Sequence, residues 1–138
     1  MSTSAIYAGL GIRLSALVID YAILAALATL PLIDRPAAVG YEEAAWEHLV
    51  LLIVLGWPYF ALSESSSWQG TPGKKLLGLR VCDLKGNRIS LLRANVRYSS
   101  KLFFYLIWFV SPFTVAFTSR KQALHDYVVD TSVLREEP

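Results

Sequence analysis

Cysteine is nearly absent from this chain. Cys82 stands alone among 138 residues, which excludes an internal disulfide and any cysteine-based zinc site; it reads as a small strand residue. Histidine is nearly as scarce. His48 and His125 lie in different blocks of the sequence, and a metal site needs three or four ligands. No G-x-S-x-G elbow is present to mark a hydrolase. Gly70-Thr-Pro-Gly-Lys-Lys75 resembles a phosphate loop only superficially. A Walker motif needs glycine where Trp68 stands and Ser or Thr where Lys75 stands, and Pro72 removes a backbone N–H from any cradle. No cofactor is implied, and enzyme chemistry is not expected. The first ten residues carry no basic stretch and no clear cleavage site follows, so the first apolar block is expected to remain as a membrane anchor. Internal repeats and low-complexity tracts are also missing.

What the chain has is apolar residues, 54% of the total, with a mean hydropathy of +0.43. Soluble domains average roughly 45–50% even with glycine counted. The excess sits in three blocks, at about residues 12–33, 48–63 and 100–118, within one domain spanning 1–138. The pattern predicts an all-α membrane protein with about three transmembrane helices. The first block, at 1.5 Å per residue, spans about 30 Å, the thickness of a hydrocarbon core. Residues 34–47 read as a loop. The strictly apolar part of the second block is short and needs help from Trp46 and His48, and Gly56 and Pro58 predict a kink. The third block is interrupted at Ser111-Pro112. It reads as one kinked span or a re-entrant helix pair; its length is short for two crossings, which favours one span. Trp46, Trp68 and Tyr98 suit a lipid–water interface, and Trp57, Tyr105 and Trp108 suit packing.

Charge orients these blocks. Residues 64–101 carry eight basic side chains against two acids, while residues 34–47 carry four acids against one arginine. The positive-inside rule puts the long loop, 64–99, in the cytoplasm. Within it, residues 73–78 suggest a short surface helix or turn. Lys85-Gly-Asn87 predicts a small β-hairpin between residues 79–84 and 88–92. Residues 90–101 have helical character, and residues 128–134 read as a β-like stretch. The basic run points to contact with anionic lipid headgroups, not to nucleic acid.

Asp20 is a carboxylate inside the apolar run 14–30. An acid at the bilayer centre costs on the order of 2.5–3.5 kcal/mol. Arg13 lies seven residues earlier, on the same helix face and roughly 10 Å away along the axis. The two are expected to form a buried pair, either architectural or serving a protonation or cation site. His125-Asp126 is expected to cap a helix end and bond into the hairpin or the first helix.

The segments Gly11-Ile-Arg13-Leu-Ser-Ala-Leu-Val-Ile-Asp20, Trp68-Gln-Gly-Thr-Pro-Gly-Lys-Lys-Leu-Leu-Gly-Leu-Arg-Val81 and Arg120-Lys-Gln-Ala-Leu-His-Asp126 resemble the RDD family of membrane proteins. The resemblance implies a multi-pass protein of the bacterial cytoplasmic membrane. It implies a signature cluster of Arg13, Asp20 and Asp126. Gln122, His125 and Lys101 are candidate supporting residues, and Gly70, Thr71, Gly73 and Lys74 form a loop motif. Transport of an unidentified ligand has been suggested for such proteins. This chain departs from the pattern at Val129-Asp130, where similar proteins carry Ala-Gly, and at Ser111-Pro112, where glycine is common. Two functions remain open: a transporter component for a small ion or solute, working as a homo-oligomer, or a non-transporting scaffold or accessory subunit whose basic loop binds a partner or anionic lipid. A single third span leaves Asp126 outside; only a re-entrant one joins it to Arg13.

Overall fold

A computed structural model describes residues 6–34, 36, 40–107 and 111–136. Two long helices carry the first two apolar blocks. α1 is Leu10–Thr29 and tightens into a 3-10 turn, Leu30–Leu32, at Pro31. α2 is Tyr41–Ser65 and runs through Pro58 as one helix. Both are long and apolar enough to cross a membrane, and only 22% and 17% of their apolar windows is buried inside the chain. Val18, Ile33 and Trp46 are 70%, 69% and 68% exposed. Apolar surface on this scale marks contact with lipid or with other helices.

α2 starts earlier than expected. Residues 41–47, assigned to the loop, are helical, because Gly40 enters in extended conformation and Glu42 and Glu43 occupy the first turn, where the positive end of the helix dipole favours acids. The resulting 25 residues reach about 38 Å, with Trp46 and His48 on the same helix as the apolar run.

The third block leads the chain back toward α1. α4, Leu91–Ile107, starts at Ser90, whose hydroxyl accepts from Arg93 N–H at 3.3 Å. It packs along α2. Trp57 Nε1 donates to Asn95 Oδ1 (2.9 Å), and Tyr98 Oη donates to the Ile53 carbonyl (3.1 Å). Tyr98 also stacks on Phe60 with ring centroids 5.9 Å apart, so it is a packing residue and not an interface one. A 3-10 segment, Ser111–Ala116, and α5, Leu124–Val128, follow. The chain then returns to the N-terminal end of α1, where Ala8 N–H donates to the Val133 carbonyl at 3.0 Å. Trp108 and the side chain of Tyr105 lie outside the described residues.

The expected hairpin is also replaced. The turn exists: Asp83 Oδ1 accepts from Lys85 N–H (2.9 Å) and Asn87 N–H (2.8 Å). Residues 88–90 do not pair as a strand, since Ser90 is committed to capping α4. The sheet is built from three distant segments, β1 Ile6–Tyr7, β2 Leu79–Asp83 and β3 Thr131–Arg135, in the antiparallel order β1-β3-β2. Cys82 pairs with Ser132 and Val81 with Val133; Cys82 is a buried strand residue as expected. α3, Pro72–Leu76, connects to β2 through Gly78, whose φ of 66° favours glycine.

Two apolar cores follow. One, at the base, joins sheet and helices through Ala16, Ala61, Leu79, Val81, Ile89 and Val133. The other, Leu24, Phe60 and Tyr98, ties α1, α2 and α4 together.

Candidate functional site

α1 buries one stripe, Arg13, Ala16, Asp20, Leu24 and Ala28, spaced as one helix face. Arg13 and Asp20 share that face as expected, but they are not partners. Two turns separate them, and other elements bring closer groups to each. Arg13 donates from Nε to the Ala8 carbonyl (3.0 Å), from Nη1 to Asp126 Oδ2 (2.6 Å) and from Nη2 to the Lys121 carbonyl (2.5 Å). Asp20 accepts at Oδ1 from Tyr59 Oη (2.8 Å) and Gly73 N–H (2.8 Å), and at Oδ2 from the Thr71 hydroxyl.

Asp126 is the junction of the site. It caps its own short helix, accepting from Ala123 N–H at 3.1 Å, and pairs with both Arg13 and Arg97, the latter at 2.7 Å. Arg97 reaches on to Glu64 at 3.0 Å and donates to the Thr131 hydroxyl at 2.9 Å. Glu64 in turn pairs with Lys74. The result is a continuous buried relay, Arg13–Asp126–Arg97–Glu64–Lys74, that joins α1, α5, α4, α2 and α3.

The remaining expected residues fall beside it. Thr71 is the N-cap of α3, and its hydroxyl also reaches Asp20. Gly73 lies so close to α1 that a Cβ there would stand 2.5 Å from the Ala16 carbonyl and 2.7 Å from Asp20 Oδ1. Gly70 N–H donates to the Ser63 carbonyl at 3.2 Å, holding the loop to the end of α2. Gln122 Nε2 donates to the Thr131 carbonyl at 2.6 Å. The Lys101 ammonium lies 4.1 Å from the centre of the Phe60 ring, a cation–π distance. The basic loop therefore splits: Lys74, Arg97 and Lys101 are buried in the cluster, while Lys75, Lys85, Arg88 and Arg93 stay exposed.

Electrostatics keeps the junction ionised. Burial alone would raise the Asp126 carboxyl, but Arg97 and Arg13 hold it below the usual carboxylate range. Burial pushes His125 down to about 3, against the pull of the Asp126 carboxylate 3.4 Å away, so His125 is neutral at physiological pH. Burial likewise lowers Lys74, with Glu64 opposing. Among the described residues no group of three or more His, Cys, Asp or Glu is placed to hold a metal ion.

Glu64, Arg97, Tyr59 and Thr131 were not singled out from the sequence. Glu64 had a usable signal, since it closes the second apolar run much as Asp20 interrupts the first. Arg97 was one of eight similar charges. Its spacing of four from Arg93 and Lys101 marks a helix face, and only burial shows which of the three turn inward.

A family model described as the RDD family matches residues 7–130. The uncharacterized protein YxaI of Bacillus subtilis (strain 168) is 34% identical over 86 residues, which cover 62% of this chain and 56% of that protein. The chain thus aligns with little more than half of YxaI. The uncharacterized membrane protein YteJ of the same organism is 31% identical over 140 aligned positions, covering 95% of this chain and 82% of YteJ. No solved structure matches.

Proposed function

The chain belongs to the RDD family of membrane proteins, and from that premise we propose that it is a non-enzymatic, multi-pass scaffold or accessory subunit of the bacterial cytoplasmic membrane. The observation that carries this reading is the relay itself. Each of its carboxylates is held by groups from other elements, as is Asp20, and breaking a buried pair costs about 3–5 kcal/mol. Such a cluster fastens the cytoplasmic sheet to the helices. α1 and α2 cross the bilayer, and α4 with the following 3-10 segment enters and returns. The exposed apolar faces of α1 and α2 meet lipid or a second copy, and Lys75, Lys85, Arg88 and Arg93 face anionic headgroups, each worth about 1 kcal/mol near the surface.

A second reading, a transport component for a small ion or solute, is favoured by one feature. Asp20 lies within a candidate span under two hydroxyl donors, and intramembrane acids commonly serve ion pathways. The test is ion and proton flux in proteoliposomes, run beside pull-down between two differently tagged copies. The scaffold reading expects self-association or a stable partner, with flux no greater than in empty vesicles. Flux that Asp20→Asn abolishes, with the fold intact, overturns it.

A further inference from the structure

A pocket of about 40 Å³ lies against the relay. One water requires roughly 10–15 Å³ measured the same way, so the space takes a few waters or one small oxyanion. Its polar lining consists of Arg13, Lys74, Arg97, Lys101 and His125, and no carboxylate is among the described lining residues. Glu64 and Asp126 are engaged behind these cations, gripping Lys74, Arg97 and Arg13. Four buried basic residues from α1, α3 and α4 thus line one void. The basic groups in this lining outnumber the two carboxylates of the relay, and Arg and Lys donors in one pocket suit the tetrahedral oxygens of phosphate. The wall beside them is apolar, with Leu10, Leu14 and Leu17 of α1, and Leu14 is 39% exposed. The pocket therefore adjoins the helix face that meets the membrane.

We propose that this pocket binds a phosphate group, held by Arg13, Lys74, Arg97 and Lys101. Inorganic phosphate and the headgroup of an anionic phospholipid offer the same chemistry. The inference rests on the reading of the cluster as a fixed framework, and it adds a ligand to it. Neutral His125 lines the site without adding charge, and Lys101, which lines the pocket and lies over the Phe60 ring, is the basic residue chosen for the test.

The experiment uses the full chain in non-ionic detergent and reads its thermal midpoint and binding isotherms. One arm titrates inorganic phosphate against chloride at matched ionic strength. The other compares phosphatidic acid with diacylglycerol of the same chains. Lys101→Met removes the charge and keeps an apolar stem; Leu14→Trp narrows the pocket from its apolar side and leaves every charge in place. Saturable binding of phosphate, weakened about ten-fold or more in both variants, establishes a soluble oxyanion as ligand. Saturable binding of phosphatidic acid alone, with the same loss, establishes the lipid headgroup. No saturable binding in either arm, or equal affinity in wild type and Leu14→Trp, overturns the proposal. The flux and pull-down assays do not read this binding, so failure of the scaffold reading and failure of this one are separate results.

Discussion

Asp20 and Val18 are two residues apart on α1, and their surroundings have little in common. Asp20 is fully buried under donors from α2, α3 and the loop before α3. Val18 is 70% exposed on the opposite side of the helix. The contrast extends across the molecule. The base is held by directional bonds between particular side chains, each reaching a different element. The outward faces of α1 and α2 are specified only by being apolar. Lipid supplies no hydrophobic drive between helices, so the base must carry most of the specificity of the fold.

Removing the junction should break this contrast most severely. Asp126→Ala leaves Arg13 and Arg97 facing each other without their shared carboxylate, and is expected to cost about 3–5 kcal/mol, seen as a large drop in thermal midpoint or loss of folded protein in detergent. Gly73→Ala comes next. Its Cβ would meet backbone and carboxylate at once, and overpacking of this kind costs about 1–3 kcal/mol; a midpoint within a degree of wild type would show that α3 can move away from α1.

Acid tests the same region without mutation. His125 ionises near its ordinary value in the unfolded chain but only at about 3 in the fold. The unfolded state therefore binds more protons between these values, and stability falls as pH drops through that window. From pH 7 to 5 the loss is about 2 kcal/mol, and His125→Asn should flatten the slope. Asp126, lowered in the fold, adds a further loss below its unfolded value. A smaller effect of opposite sign is expected at Asp130, whose φ of 50° lies in the left-handed region that favours glycine. Asp130→Gly should stabilise by about 0.5–1 kcal/mol, read as a raised midpoint. On the outer face, Val18→Leu should change the midpoint least, within about 0.5 kcal/mol. A large effect there would show that this face is a specific interface and would weaken the comparison.

The sequence made the apolar half legible, because composition and run length suffice to mark α1 and α2. It also marked most members of the charged site. It did not show how they pair. Arg13 and Asp20 share a helix face, which suggested a bond, yet each is satisfied from elsewhere because two turns is farther than the reach of Thr71 or Asp126. The partner of Arg13 depends on where the chain goes after the third block, and apolar length alone does not say that Asp126 comes back to it. The strand that pairs with β2 lies some fifty residues further on at Ser132, where no turn signal announces it.

The ion pair between Arg13 and Asp126 spans 113 residues of sequence, and that distance is also a delay. A ribosome adding roughly 5–20 residues per second needs on the order of 10 s to cover it. On the proposed topology α1 is inserted during that interval with its arginine still waiting for the aspartate, and Asp20 waits a shorter time for Thr71. That topology leaves a first helix whose charges are unmatched until late in synthesis. Arg13 sits only one turn inside α1, close enough to a helix end for its long side chain to snorkel to a headgroup layer while it waits.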